Sequence, residues 1–274
     1  MSKVLVVSGE NLDVEELKRV LIKSGYNVFS ASKSFSIDNK NFENNPIICV
    51  NKKTQDNDLN NSIDDKAHIE TVFSLAKLTQ SKDDDTGEHV KRVQNYCKIL
   101  AEELLRCSPY SSVIDKNFIE NIYNASSLYD IGKASIADSI LLKNAKLTHN
   151  EFEIMKSHTI IGFNTLQDVN NKFGSGSEFI EMAKEIARSH HERWDGSGYP
   201  DGLKGDDIPL CARIVAIADV YDALCSNKVY KKAYEHKKCV DIILKGKSTQ
   251  FDPYIVDAFL NVSDKFLEIR KKLK

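Results

Sequence analysis

The feature that most constrains the fold is the helical spacing of apolar residues from about Asp64 onward. Apolar side chains recur there at intervals of three and four, which places them on one face of a helix with 3.6 residues per turn. The stretches that follow this spacing are Ile69–Leu78, Val90–Leu105, Ile114–Leu128, Phe152–Leu166, Phe179–Ile186, Ala212–Leu224 and Ile255–Leu273. They predict an all-α domain of about seven helices.

Sequence signals of helix N-termini agree with this helical prediction. Thr148 and Glu151 have the spacing of a capping box, in which each residue satisfies a free backbone N–H of the other. Pro209 and Pro253 stand where prolines occupy the first turn of a helix.

The first 52 residues predict a separate, small α/β unit. Val4–Val7, Val28–Ala31 and Ile47–Val50 have the composition of strands, and Val14–Lys23 has helical spacing. This order resembles the opening of a response-regulator receiver domain. Asn51 stands where such domains carry the acceptor aspartate, so we expect a truncated, structural remnant without control by phosphorylation.

The chain therefore divides into an α/β segment at 1–52, a linker at 53–63 and a helical domain at 64–274. The linker is assigned because the stretch from Asn51 to Ser62 has almost no apolar content.

Composition limits the compartment and the class of partner. The formal net charge of -2 provides no overall basic field for a nucleic acid polymer. The six cysteines are scattered without C-x-x-C spacing, which is typical of reduced thiols. The N-terminal apolar run is too short for a signal peptide, and no run approaches the roughly 20 residues that cross a bilayer. We expect a cytoplasmic protein without membrane insertion.

Histidines and acids form a candidate metal-ligand set around the stretch His-His-Glu-Arg-Trp-Asp-Gly-Ser-Gly-Tyr-Pro, which begins at His190. Histidine is the commonest protein metal ligand, and mixed His and Asp ligands suit iron, manganese or zinc. Two ions that share a carboxylate can neutralise a phosphodiester during displacement. The candidates are Asp85, His89, Asp130, Lys133, His158, His190, His191, Asp219 and Asp222.

Simpler interpretations stay open for several of these residues. His190 and His191 could be solvated histidines at a helix end. Asp219 lies in an otherwise apolar helix, where a carboxylate is costly unless it is paired with a cation or bound to a metal. Lys133 could stabilise charge on a phosphate oxygen, or could face the C-terminal dipole of a helix.

Four long motifs closely resemble the HD-GYP domain, a branch of the HD phosphohydrolase superfamily. They are DTGEHVKRV, DIGKASIADSILLKNAKLTHNEFEIMKSHTIIG, HHERWDGSGYPDGLKGDDIPLCARIVAIADVYDAL and FDPYIVDAFL, within residues 64 to 262. The resemblance implies an HD-domain helical bundle with a centre of two or three metal ions. For this chain we expect one to three divalent ions, iron or manganese. The resemblance further implies hydrolysis of cyclic di-GMP to pGpG or GMP. A homodimer and signalling-protein partners stay open.

Matched by position, the resemblance assigns roles to individual residues. Asp130 would bridge two ions, and Lys133 would assist catalysis. The implied metal ligands are Asp85, His89, Asp130, His158, His190, His191 and Asp219. The implied substrate contacts are Tyr199, Pro200, Asp222, Lys228 and Lys231, although the two lysines could also form a solvated basic turn.

One departure from the family pattern leaves three functions open. Tyr129-Asp130 stands in place of the His-Asp dyad, and a neutral phenol is a poor ligand beside imidazole, although Tyr129 could coordinate iron(III) as phenolate. The first function is an active cyclic di-GMP phosphodiesterase. The second is a weakened or inactive cyclic di-GMP receptor or interaction module. The third is a phosphohydrolase of another nucleotide.

Overall fold

The computed structural model of the protein describes residues 3–8, 27–31, 47–50, 88–173, 178–226 and 233–273. The chain forms two compact units, Met1–Leu78 and Thr79–Lys274. The predicted boundaries of the linker lie outside the described residues and stay a prediction. The predicted helices Val14–Lys23 and Ile69–Leu78 lie outside them as well.

Three short strands make up the described part of the first unit. They are β1 (Lys3–Ser8), β2 (Asn27–Ala31) and β3 (Ile47–Val50). The sheet is parallel in the order β2-β1-β3, with Leu5 opposite both Phe29 and Ile47. Parallel neighbours need a crossover connection, as the β-α-β interpretation of the sequence requires.

The second unit is helical, so the prediction of a mainly α fold is confirmed. Nine α-helices lie in the part of the chain that the structure describes. They are α1 (Glu88–Cys107), α2 (Lys116–Ala125), α3 (Asp138–Leu141), α4 (His149–Lys156), α5 (His158–Phe173), α6 (Glu178–Ser189), α7 (Leu210–Cys225), α8 (His236–Lys245) and α9 (Pro253–Lys272). Four 3₁₀ segments join them, at Pro109–Ser112, Ser126–Leu128, Ile131–Ser135 and Gly205–Asp207.

Helix boundaries follow the capping chemistry where the sequence carries a signal. Thr148 and Glu151 form the predicted capping box at the start of α4. Pro253 is the first residue of α9, as predicted, whereas Pro209 lies one position before α7. The predicted helix Phe152–Leu166 is instead divided between α4 and α5, because the hydroxyl of Ser157 donates to the carbonyl of Ile154 and ends α4.

The core lies around α1, which packs against α2, α7 and α9. Its centre is an aromatic cluster in which the ring of Tyr96 stacks on Phe266 at a centroid distance of 4.3 Å. Tyr221 and Phe259 meet Phe266 edge to face, at 5.1 Å each. Offset and edge-to-face contacts stabilise aromatic pairs beyond the burial of their area, so this cluster fixes α7 against α1 and α9.

A close backbone contact sets the position of the 3₁₀ segment that follows Asp130. A Cβ added to Gly132 would lie 2.0 Å from the carbonyl oxygen of His158 and 2.6 Å from the backbone nitrogen of Gly162. Only glycine allows so short an approach. The contact holds Asp130, two residues before Gly132, against the start of α5, where His158 lies.

We expect Gly132→Ala to lower the free energy of unfolding by about 1–3 kcal/mol, because the new methyl group meets backbone that cannot rotate away. Urea denaturation followed by circular dichroism measures the change. Gly162→Ala is the matched control, since its nearest neighbours lie at 3.3 and 3.4 Å and alanine favours a helix interior. Equal losses in the two variants would contradict the proposed backbone contact.

Candidate metal centre

One group of ligand side chains gathers where three helical segments begin or end. Asp130, His158, His190 and His191 each offer a ligand atom, and these atoms all lie within 4.8 Å of one another. His158 is the first residue of α5, and the histidine pair follows the last residue of α6. Asp130 precedes the 3₁₀ segment Ile131–Ser135. We call this group the aspartate–histidine cluster.

Hydrogen bonds to backbone carbonyls set the tautomers of two histidines in the cluster. The Nδ1 atom of His158 lies 2.7 Å from the carbonyl oxygen of Met155, and Nδ1 of His190 lies 3.0 Å from that of Ile186. A carbonyl only accepts, so both Nδ1 atoms carry a proton, and in the neutral form of each ring the lone pair lies on Nε2. The two Nε2 atoms are 3.5 Å apart. A cation between them would make this contact favourable.

The carboxylate of Asp130 completes this arrangement. Its Oδ2 forms an ion pair with Nζ of Lys133 at 2.7 Å. Its Oδ1 is buried and has no hydrogen-bond partner, and lies 3.3 Å from Nε2 of His158 and 3.7 Å from Nε2 of His190. A buried acceptor without a donor is costly. Three imidazoles and a carboxylate form a donor set that fits a divalent transition metal.

The electrostatics of the cluster keep its ligand atoms in the protonation states that a metal requires. Burial lowers the pKa of His158 to about 4 against the opposing effect of Asp130, and burial also brings the pKa of His191 well below its usual value. Burial alone would raise the pKa of Asp130, but Lys133, His158 and His190 together lower it. Neutral imidazoles and an ionised carboxylate are the metal-binding forms.

A second group of polar side chains lies directly beside the first. The hydroxyl of Tyr129 lies 2.7 Å from Nε2 of His89 and donates to Oδ1 of Asp219 at 2.9 Å. The Nδ1 atom of His89 lies 2.6 Å from Oδ2 of Asp222, and Arg92 donates to both oxygens of Asp222 at 2.7 and 2.9 Å. We call these five residues the tyrosine cluster. Burial raises the pKa of Tyr129 well above its usual value, and Asp130 and Asp219 raise it further.

The structure therefore divides the predicted metal ligands between two clusters. Asp130, His158, His190 and His191 meet in the first, while His89 and Asp219 meet around Tyr129 in the second. Asp222, a predicted substrate contact, is buried and bonded to His89 and Arg92. Predicted residues Asp85, Lys228 and Lys231 lie outside the described residues. The ligand and substrate roles of all these residues stay predictions.

The Gly-Tyr-Pro loop lies against the aspartate–histidine cluster. The ring of Tyr199 stacks on His191 at a centroid distance of 4.8 Å, and Pro200 follows it in a cis peptide. Gly198 is required here, because a Cβ would lie 2.4 Å from the backbone nitrogen of Arg193. The loop consequently turns back onto the residues that follow the histidine pair.

Glu192 holds the far side of this loop and was missed by the sequence interpretation. Its buried carboxylate accepts hydrogen bonds from the backbone N–H groups of Asp201, Gly202 and Leu203 at 2.7, 3.1 and 3.1 Å. A carboxylate directly after a histidine pair and ahead of a glycine-rich loop could have signalled this role, since acidic side chains often bind free loop amides.

Two further residues beside the loop had no predicted role. The ring of Phe152, which is 44% exposed, meets Tyr199 edge to face at 6.2 Å. The Nζ atom of Lys156 lies 5.3 Å from the ring centroid of Phe152 and 5.5 Å from that of Tyr199. An aromatic edge with a cation above it thus leads from His191 to the surface. Helical spacing alone could not distinguish Phe152 from a core residue.

We expect Glu192→Ala to lower the free energy of unfolding by about 1–3 kcal/mol, because three backbone N–H groups lose their acceptor. The fluorescence of Trp194, which is the single tryptophan of the chain and lies two residues away, reports the change during urea denaturation. Asp257→Ala, which removes the exposed ion pair with Lys247, serves as the control and should have little effect. Similar losses in both variants would argue against a specific role for Glu192.

None of the helices in the described ranges is long and apolar enough to cross a membrane.

Comparisons with known proteins connect this geometry to a family. The model of the HD domain family matches residues 74–255. Two relatives from Vibrio cholerae serotype O1 carry the names "Probable cyclic di-GMP phosphodiesterase" and "Cyclic di-GMP phosphodiesterase". They are 46% identical over 208 residues and 47% identical over 203 residues, which is 76% and 74% of this chain. The alignments cover 47% and 41% of the relatives, so the chain spans less than half of their length.

A solved structure shares the fold. It is an HDG"Y"P protein from Bdellovibrio bacteriovorus, which is 14% identical and superposes with a TM-score of 0.50. The superposition covers 76% of this chain and 66% of the other. The chain belongs to the HD domain family, as the resemblance of its motifs to the HD superfamily indicated.

Proposed function

We propose that this protein is a metal-dependent phosphodiesterase that hydrolyses cyclic di-GMP to linear pGpG or GMP. The observation that carries the proposal is the buried aspartate–histidine cluster, in which two imidazole lone pairs and an unpartnered carboxylate oxygen converge. The names of the two Vibrio relatives support the substrate, at 46% and 47% identity.

Asp130, His158, His190 and His191 are the proposed metal ligands. Iron and manganese are the proposed ions, since both accept mixed imidazole and carboxylate donors. A divalent ion at this position would act as a Lewis acid on a phosphate oxygen. The protein's own contribution is preorganisation, because the carbonyls of Met155 and Ile186 fix the ring orientations before any ion binds.

Lys133 is the proposed stabiliser of phosphate charge. Its ammonium group lies 2.7 Å from Asp130, and 26% of its side-chain surface is exposed, so an incoming anion can reach it. Charge-assisted hydrogen bonds to phosphate oxygens contribute most where water is scarce, as beside this buried carboxylate. Its ion pair with Asp130 also supports the catalytic interpretation over that of a lysine facing a helix dipole.

The aromatic edge of Phe152 and Tyr199 is the proposed binding surface for a guanine base. Bases stack on exposed aromatic rings, and the ammonium of Lys156, which also pairs with Glu153 at 2.7 Å, lies beside both rings. Tyr199 also contacts His191, so a base stacked here would place its phosphate near the aspartate–histidine cluster. The roles predicted for Pro200, Lys228 and Lys231 are part of the same proposal.

A receptor that binds cyclic di-GMP without cleaving it is the second candidate function. Tyr129 favours it, because its hydroxyl bonds two of the residues that the family resemblance assigns to metal binding. A panel that adds other cyclic dinucleotides and phosphoesters tests the third function, a phosphohydrolase of another nucleotide.

We expect His190→Ala to reduce turnover of cyclic di-GMP by at least a hundredfold, because it removes one of four ligands from the proposed site. Release of pGpG and GMP from manganese- or iron-loaded protein, measured by chromatography, provides the readout. His149→Ala, at an exposed histidine of α4, should retain full turnover. If the wild-type protein binds metal and the dinucleotide but releases no product, the receptor function replaces the phosphodiesterase.

We expect Phe152→Ala to raise KM for cyclic di-GMP about tenfold with little change in kcat, because stacking of a base on an aromatic ring contributes about 1–3 kcal/mol. Steady-state kinetics separate the two constants. Ile154→Ala removes an exposed side chain from the same helix and should leave KM unchanged. An unchanged KM in Phe152→Ala would exclude this stacking surface.

A further inference from the structure

We propose that this chain holds one metal ion, in the aspartate–histidine cluster, and that the hydroxyl of Tyr129 occupies the neighbouring position in place of a second ion. The first part of this inference rests on the proposed function. The second part concerns the tyrosine cluster, and it stands on the hydrogen bonds and packing of that cluster.

The hydroxyl of Tyr129 uses the atoms that a second ion would need. It lies 2.7 Å from Nε2 of His89 and 2.9 Å from Oδ1 of Asp219, which are the ligand atoms on the two sides of this position. An ion bound by both residues would have to displace the hydroxyl from between them. A phenol oxygen is a weaker donor to a metal than an imidazole nitrogen, and here it is already engaged with His89 and Asp219.

The ring of Tyr129 cannot easily swing away to admit an ion. Its side chain is 1% exposed, and its ring meets the ring of His190 edge to face at 5.1 Å and 89°. Movement of the ring would therefore disturb a ligand of the first cluster. Buried side chains are packed closely, so such a movement would require neighbouring groups to shift as well.

Within the tyrosine cluster, the negative charge of Asp222 is neutralised by Arg92 without a metal. The guanidinium of Arg92 donates to both oxygens of Asp222 at 2.7 and 2.9 Å, which is a bidentate ion pair. Asp222 in turn lies 2.6 Å from Nδ1 of His89. The carboxylates of Asp219 and Asp222 therefore already have hydrogen-bond donors without an ion.

The two clusters therefore differ in whether their ligand atoms already have hydrogen-bond partners. The first has a buried carboxylate oxygen without a hydrogen-bond partner and two facing lone pairs. In the second, each of the five linking atoms, on His89, Tyr129, Asp219 and Asp222, already has a partner within 2.9 Å. Free energy favours an ion where it satisfies open groups, and opposes one where formed hydrogen bonds must first be broken.

The test measures the number of Mn²⁺ ions per chain in the wild-type protein and in two variants, Tyr129→His and Tyr129→Phe. Metal content is read by plasma mass spectrometry, and electron paramagnetic resonance distinguishes an isolated Mn²⁺ from a coupled pair. We expect one isolated ion in the wild type, and two coupled ions in Tyr129→His, because histidine restores an imidazole ligand. Tyr129→Phe keeps the ring but removes the hydroxyl, and should bind one ion because a phenyl group supplies no ligand.

The wild-type measurement decides the inference by itself, whether or not the variants fold. Two coupled ions in the wild type would overturn it. A folded Tyr129→His that binds one ion would overturn the assignment of Tyr129 as the residue that excludes the second. A wild type that binds no ion would instead overturn the proposed metal-dependent function. Two ions with turnover would leave that function intact and remove only this inference.

Discussion

The buried carboxylate of Asp130 is the constraint on which the rest of the site depends. One of its oxygens is neutralised by Lys133, and the other faces the imidazoles of His158 and His190 without a donor. An ionised carboxylate is tolerated in the interior only when it is compensated. The fold meets this requirement by bringing the ends of several helical segments to one point, and the glycine contact at Gly132 keeps those ends together.

Two adjacent clusters meet the requirement for charge balance by different means. The aspartate–histidine cluster contains an acceptor atom without a hydrogen-bond donor, and a bound cation would compensate it. The tyrosine cluster closes its own network through a phenol and a guanidinium. We propose that the residue at position 129 decides between these solutions, because a neutral phenol is a poorer metal ligand than an imidazole and the hydroxyl of Tyr129 already bonds His89 and Asp219.

Sequence reasoning reached the helical fold and the members of the aspartate–histidine cluster, because helical spacing and the histidine-rich motif are local signals. It missed partners that are distant in the chain. Arg92 and Asp222 are separated by 130 positions, and nothing in either neighbourhood identifies the other. It also merged α4 with α5, since the apolar spacing continues across Ser157 while a side-chain hydrogen bond ends the first helix there. Helix α8 (His236–Lys245) was not predicted at all.

The way Glu192 binds its loop has a consequence for how freely that loop can change during evolution. Glu192 recognises main-chain N–H groups at positions 201 to 203, and these groups are present whatever side chains the positions carry, proline excepted. Substitutions at Leu203 can therefore change the side chain at this position without releasing the loop from its anchor. Related chains can therefore vary the side chains of this loop while its backbone keeps the same anchor beside the histidine pair.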